Sequence, residues 1–151
     1  MELFLSTFVN RVDRKGRVSV PATFRSALAT HRHPNQVVLT PSFKFSAIDG
    51  AGSDYLAEMM QGLTTLEQYS QRRDDMALVF ADAKPLQIDS EGRIVLPDDL
   101  KAFAHIDHEI AFVGLGPTFQ LWEPGRFAAH RAEALERARS SGSTLPSTGI
   151  R

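Results

Sequence analysis

A thirteen-residue segment occurs twice in this chain, and the repetition constrains the fold more than any other feature. The first copy, residues 13–25, reads DRKGRVSVPATFR, and the second, residues 89–101, reads DSEGRIVLPDDLK. The Asp, Gly, Arg and Pro residues of the two copies are all separated by the same 76 positions, so the alignment needs no gap. An internal repeat of this kind predicts two equivalent structural units in one chain.

Each copy has the pattern of a strand, a tight turn, a second strand and a short helix. Gly16 and Gly92 are the natural residues for the positive φ that a hairpin turn requires. Asp13 and Asp89 can accept hydrogen bonds from backbone N–H groups two or more residues further on and so close each turn. Pro21 suits the first position of the helix that follows, where its missing N–H costs nothing. We therefore predict that these residues form two matching structural turns.

Two further short strands follow each predicted helix, so that each half has about four strands and one helix. A unit of that size buries too little apolar surface to be stable alone, and we expect the halves to interleave their strands around one core. The predicted fold class is α+β. The predicted organisation is a first half-domain at 7–54, a helical connector at 55–82, a second half-domain at 83–126, a C-terminal helix at 127–140 and a disordered tail at 141–151.

The connector has the spacing of an amphipathic helix. Four apolar residues recur at helical intervals, namely Leu56, Met59, Met60 and Leu63. The segment TTLE that follows has the form of a capping box, with Thr64 as the N-cap and Glu67 at the third helical position. We therefore expect a second helix to begin directly after Thr64 and to carry Tyr69 and Phe80.

Composition excludes several classes of protein. The chain has no cysteine, which rules out disulfides, thiol catalysis and a cysteine-based zinc site. We find no run near the length of a membrane helix and no secretory leader, and expect a cytoplasmic protein. Neither a glycine-rich phosphate loop nor a nucleophile elbow is present. The pairs His31/His33 and His105/His108 are interpreted as solvated loop residues. We expect no enzyme activity, catalytic residue, cofactor, metal or small-molecule substrate.

The two copies differ in net charge, although the formal net charge of the whole chain is only −1. Residues 11–25 carry a net charge of +4, whereas residues 87–101 carry −2. Arg14 and Lys15 of the first turn are replaced by Ser90 and Glu91 in the second. If the turns only stabilised the fold, their net charge would have little reason to differ in sign between the two copies. The simplest alternative is that the basic side chains of the first turn form an ordinary solvated surface.

Basic side chains on a β-turn are suited to phosphate contacts, and arginine can also bind guanine in the major groove. The candidate DNA-binding residues are Arg14, Lys15 and Arg17, with Arg11 and Arg93 as additional candidates. A structural alternative for Arg17 is an ion pair with Asp13 across the turn.

The segments STFVNRVDRKGRVSVPATFR and DSEGRIVLPDDLK, the latter followed by FVGLGPTFQLWEP, resemble the two halves of the MraZ family of bacterial regulators. The resemblance implies two SpoVT–AbrB-type half-domains that form a pseudo-two-fold swapped-hairpin β-barrel. It also implies a ring-shaped homo-oligomer, associated with the nucleoid, that binds direct repeats in double-stranded DNA upstream of the division and cell-wall gene cluster. The family's Asp-x-x-x-Arg pattern falls on Asp13/Arg17 and Asp89/Arg93, and its DNA-contacting basic residues correspond to Lys15 and Arg17.

One alternative from another functional class stays open at this point. The same fold could serve as a protein-interaction module or an antitoxin-like partner that binds a protein instead of DNA. Binding to the DNA upstream of the gene distinguishes the two hypotheses.

Overall fold

Eight strands and five helices follow one another in the computed structural model, which describes residues 2–146. The first half contains β1 (Thr7–Arg11), β2 (Arg17–Ser19), α1 (Ala22–Leu28), β3 (Gln36–Pro41) and β4 (Ile48–Ala51). Two helices then follow, α2 (Ser53–Thr64) and α3 (Gln71–Asp82). The second half contains β5 (Lys84–Gln87), β6 (Arg93–Val95), α4 (Asp98–Phe103), β7 (Glu109–Gly114) and β8 (Phe119–Trp122), and the chain continues into α5 (Pro124–Ser141).

The two halves have the same order of elements, as the repeat predicts. Each runs strand, strand, helix, strand, strand, and the mixture of helices and antiparallel strands confirms the α+β class. The helices α1 and α4 each follow a proline, Pro21 and Pro97, whose extended backbone leads into the first turn.

The strands of the two halves are interleaved. Six strands form an antiparallel sheet in the order β1-β7-β8-β4-β3-β5, and β2 pairs with β6 in a separate two-stranded ribbon. Four pairings join one half to the other: β1 with β7, β4 with β8, β3 with β5 and β2 with β6. In the described residues β1 and β5 are the edges of the large sheet and do not pair, so this sheet is open and not a closed barrel.

The main core lies between the six-stranded sheet and the β2–β6 ribbon. Along β3 the side chains of Val37 and Leu39 point into it, as the two-residue period of a strand requires. Phe24 of α1 is fully buried at its centre. Its ring lies 5.3–6.1 Å, centroid to centroid, from four other aromatic rings, those of Phe4, Phe8, Phe112 and Phe119. Both halves therefore contribute to one continuous core.

The opposite face of the large sheet is covered by the remaining helices. A smaller cluster packs under α5, where the Trp122 ring contacts Phe127 and stacks on His130 at 4.6 Å. The α2–α3 hairpin lies beside it over β3, but neither helix contains a fully buried residue. The same holds for α5, so all three helices cover this face through partly buried side chains.

The predicted start of the second connector helix is wrong. Thr64 is the last residue of α2, and the hydroxyl groups of Thr64 and Thr65 donate back to the carbonyls of Gln61 and Gly62 at 2.6 and 2.7 Å. Such local bonds compete with capping geometry and end the helix.

The N-cap of α3 is instead Ser70, whose Oγ accepts a hydrogen bond from the backbone N–H of Arg73 at 3.1 Å. Tyr69 precedes the helix with a positive φ and is exposed. At the other end of the chain, α5 continues to Ser141 and ends at Gly142, which has the left-handed conformation. Of the predicted disordered tail, residues 147–151 lie outside the described residues.

Candidate nucleic-acid interface

The first turn is organised around the side chain of Asp13. Its carboxylate accepts hydrogen bonds from the backbone N–H groups of Lys15 and Arg17 at 2.9 and 2.8 Å. It also accepts a bond from Nε of Arg17 at 2.7 Å. Gly16 has a φ of +79° and donates its N–H to the Asp13 carbonyl at 3.0 Å. The turn thereby holds its own backbone and one of its basic side chains in place.

The second turn has the same geometry. Asp89 accepts from the backbone N–H groups of Glu91 and Arg93, each at 2.9 Å, and from Nε of Arg93 at 3.2 Å. Gly92 also has a φ of +79°. The shared Asp, Gly and Arg residues therefore occupy equivalent positions in both turns.

Both aspartates have pKa values below the ordinary value of 3.8. The main cause is the backbone N–H bond, from Arg17 to Asp13 and from Arg93 to Asp89, with the arginine side chains adding to it. The carboxylates are thus held in their charged form, which is the form that accepts all three bonds.

The two turns differ in how their arginines are balanced. Arg93 contacts two carboxylates, because its Nη2 lies 3.1 Å from Glu91 in addition to the bond from its Nε to Asp89. Arg17 contacts only Asp13 among the described residues, since Lys15 occupies the position equivalent to Glu91. Lys15 is exposed and forms no ion pair with a described residue. Among the residues that form the turns, those of the first therefore present uncompensated positive charge and those of the second do not.

The other two candidate residues are Arg14, which belongs to the first turn, and Arg11, which precedes it. Arg14 is exposed and, like Lys15, forms no ion pair with a described residue. Arg11 is the last residue of β1, where it is exposed and lies opposite Glu109 of β7. The structure thus groups Arg11, Arg14, Lys15 and Arg17 around the first turn.

The turns lie at opposite ends of the β2–β6 ribbon. The strands are antiparallel, with Val18 opposite Ile94. The Gly16 carbonyl accepts from the N–H of Leu96 at 2.8 Å, and the Gly92 carbonyl accepts from the N–H of Val20 at 2.9 Å. Each turn is therefore fixed to the strand end of the other half, and Arg93 lies apart from the group at the first turn.

Each short helix brings a basic residue to the turn of the other half. Arg25 of α1 is exposed and its Nε donates to the Val20 carbonyl at 3.2 Å. Its guanidinium lies directly over Gly92, since a Cβ added to that glycine would lie only 2.9–3.0 Å from the guanidinium atoms of Arg25. The equivalent residue in α4, Lys101, lines a shallow depression beside the first turn together with Arg11 and Arg14. These placements carry no signal in the sequence because they depend on the interleaving of the halves.

The interpretation of the histidines as solvated is wrong for His31. Its side chain is only 16% exposed, and its Nδ1 accepts a hydrogen bond from the backbone N–H of Asp54 at the start of α2. Residues 2–146 contain no group of three or more His, Asp or Glu side chains arranged to hold a metal ion. No helix in the same range is long and apolar enough to cross a membrane.

Comparisons with known proteins agree with one another. A family model described as "MraZ protein, putative antitoxin-like" matches residues 79–144. A protein named "Transcriptional regulator MraZ" from Gluconacetobacter diazotrophicus is 45% identical over 100% of this chain and 96% of its own length. Proteins of the same name from Beijerinckia indica and Gluconobacter oxydans are 43% and 42% identical, over 99% and 93% of this chain and 92% and 87% of theirs.

Proposed function

This chain belongs to the MraZ family of transcriptional regulators, which are not enzymes, and from that premise we propose that it binds double-stranded DNA through its first turn. The observation that carries the proposal is the uncompensated charge of that turn: Arg14 and Lys15 are exposed, without an ion pair among the described residues, on a backbone fixed by Asp13. Arg17, held by the same carboxylate, is preoriented for a phosphate or a guanine.

The target we propose is a set of direct repeats upstream of the division and cell-wall gene cluster, bound by a ring-shaped homo-oligomer in the cytoplasm, at the nucleoid. One basic turn offers only a few contacts, which is too little for tight specific binding. Several turns carried on one ring gain affinity through effective concentration when they meet successive repeats. Arg93 has a smaller part in this proposal because Asp89 and Glu91 both balance it.

The architecture we propose to underlie this arrangement is the swapped-hairpin unit of two half-domains, at 7–54 and 83–126. What supports it is the set of four strand pairings between the halves and the core shared by the large sheet and the β2–β6 ribbon. The segment 55–82 then acts as a helical connector and 127–140 as a C-terminal helix.

The experiment that tests DNA binding exchanges the variable residues of the first turn for those of the second. The variant Arg14→Ser/Lys15→Glu should keep the fold, because Ser90 and Glu91 occupy the same turn geometry in the second copy. We expect a gel-shift titration on the upstream DNA to show at least about tenfold weaker binding, and the slope of log affinity against log salt to fall by about 2 per bound turn.

The matched control makes the same charge change away from the turn. Arg131→Ser/Arg137→Glu alters two exposed residues of α5. It should leave affinity within about twofold, since distant charges are screened at physiological salt. Equal loss of affinity in both variants would show that only net charge matters and would refute the assignment to the first turn.

A second candidate function is binding of a protein partner, as an antitoxin-like module. It is favoured by the description of the matching family model and by exposed apolar side chains on the α2–α3 hairpin, where Met60 and Leu78 are each 52% exposed. Failure of the wild-type protein to bind the upstream DNA at any salt concentration would favour this function.

A further inference from the structure

A pocket of about 370 Å³ lies between the α2–α3 hairpin and the face of the large sheet that points away from the main core. Its walls are mostly apolar and include Tyr55, Leu56 and Met59 of α2 and Val79 of α3. The volume falls within the range of small-molecule sites, about 300–1,000 Å³. Neither helix of the hairpin contains a fully buried residue, and the pocket lies beneath them.

The floor of the pocket carries a row of polar side chains across three strands. Thr40 of β3 lies directly opposite Asp49 of β4, and Asp49 lies directly opposite Gln120 of β8. Side chains of directly opposite residues share one face of an antiparallel sheet. Gln120 Nε2 donates to Oδ1 of Asp49 at 2.8 Å, and the Nε1 of Trp122 donates to Oε1 of Gln120 at 2.9 Å.

Two acceptor groups of this row lack a partner. The hydroxyl oxygen of Thr40 is buried and makes no hydrogen bond, and Oδ2 of Asp49 has no hydrogen-bond or ion-pair partner among the described residues. Lys44 also lines the pocket, but it is exposed, its ammonium lies 5.4 Å from the centroid of the Phe45 ring, and it forms no ion pair with Asp49. The hydroxyl oxygen of Thr40 is closed off from the pocket, whereas Oδ2 of Asp49 stays accessible, so the carboxylate is the group that a donor entering the pocket can reach.

Burial also raises the pKa of Asp49 above its ordinary value of 3.8, with Gln120 compensating only in part. The carboxylate is thus short of a positive partner at this position. A cation that entered the pocket would relieve this deficit, whereas an anion would increase it.

We propose that this pocket binds a small organic ammonium compound. The protonated amine donates to Oδ2 of Asp49, and the apolar body of the ligand packs against the side chains of α2 and α3. The site lies on the other face of the large sheet from the β2–β6 ribbon and its turns, since its residues alternate along β3 with Val37 and Leu39 of the core. Ligand binding here therefore does not depend on the DNA-binding proposal and is tested without DNA.

The chain contains its own reporter for this test. Trp122 is the single tryptophan, and its indole N–H is bonded to the glutamine that holds Asp49. We would titrate the full-length protein at pH 8 with phenethylamine, 2-phenylethanol and 3-phenylpropionate, which share an aryl body and differ in charge. We expect a saturable change in tryptophan fluorescence with the amine, and affinity at least about tenfold weaker for the alcohol and the acid, which equals about 1.4 kcal/mol.

Three variants assign the effect to the floor of the pocket. Asp49→Asn keeps the size and removes the charge, and should weaken phenethylamine binding by about tenfold while leaving 2-phenylethanol unchanged. Thr40→Val removes a buried hydroxyl that has no partner and that the amine does not reach, so it should fold normally and bind phenethylamine within about twofold of the wild type. Asp75→Asn, an exposed site on α3, is the control and should bind like the wild type.

Several results would overturn the proposal. These are equal affinity for the amine and the alcohol, wild-type affinity in Asp49→Asn, or no saturable signal in the folded wild-type protein at millimolar amine. A fluorescence change that follows protein concentration and is insensitive to amine would show a second copy of the chain in the pocket, which also contradicts it.

Discussion

The glycine at the first turn offers a graded test of how firmly the turn is fixed. Gly16 has a φ of +79°, and a Cβ added there would lie 3.3 Å from the carbonyl oxygen of Leu96. Gly116, in the β7–β8 connection, has a φ of +89° and no atom within 4 Å of an added Cβ. Comparing the alanine variants at these positions therefore separates backbone strain from the added contact.

The magnitudes follow from the two geometries. Placing alanine in the left-handed region costs about 1–2 kcal/mol, and the reduced entropy of the unfolded chain returns about 0.4–1 kcal/mol. Gly116→Ala should therefore destabilise the protein by about 0.5–1 kcal/mol. Gly16→Ala should cost about 2 kcal/mol, because the N–H of Leu96 is bonded to the Gly16 carbonyl at 2.8 Å and the obstructing backbone cannot move away freely.

Thermal unfolding followed by circular dichroism measures the difference. At this chain length about 2 kcal/mol corresponds to a fall in Tm of about 4–8 °C for Gly16→Ala, and about 1 kcal/mol to 2–4 °C for Gly116→Ala. Gly62→Ala, inside α2 with open space around it, should instead raise Tm, since alanine favours a helix over glycine by about 1 kcal/mol. Equal losses in Gly16→Ala and Gly116→Ala would refute the argument that contact between the halves fixes the first turn.

Two further variants test the turn carboxylate and the core. The pKa of Asp13 is lowered by folding, so its contribution to stability is present above the ordinary carboxyl value of 3.8 and is lost as pH falls through the lower folded value. In urea unfolding, Asp13→Asn should therefore be less stable than the wild type at pH 7, and it should lose less stability than the wild type between pH 5 and 2. Phe24→Ala should lower the free energy of unfolding by about 3–5 kcal/mol, because the ring is fully buried among four others. The loss should be clearly larger than in Phe8→Ala, because the Phe8 side chain is only partly buried. Similar denaturation midpoints for the two variants would contradict the central place of Phe24.

Much of the fold could be predicted from the repeat. Identical spacing of Asp, Gly, Arg and Pro predicted the same order of elements in both halves, and the small size of each half predicted interleaving. The order of the strands could not be predicted, because any of several cross-half pairings would bury the same alternating residues. The start of α3 was mispredicted because the TTLE segment fits a capping box equally well, and only the backward bonds of Thr64 and Thr65 exclude it.

Of the candidate site, the sequence identified the basic residues but not their surroundings. The charge difference between Lys15 and Glu91 is visible in the sequence, whereas the double contact of Arg93 is a matter of side-chain geometry. The position of Arg25 over Gly92 required the cross-half pairing. Asp49 gave no signal, since a single acidic residue in a strand pattern is indistinguishable from one that faces solvent.

The pairing of β1 with β7 has a consequence for synthesis of the protein on the ribosome. Thr7 pairs with Val113 and Arg11 pairs with Glu109, so β1 leaves the ribosome about 100 residues before its partner. At about 5–20 residues per second the strand waits between roughly 5 and 20 seconds with its backbone groups unpaired. The first half cannot complete its core in that interval, because Phe112 and Phe119, which pack on Phe24, are made last. Folding is therefore completed only after translation of the second copy, and until then the nascent first half carries an unpaired strand, a feature that favours association with other chains.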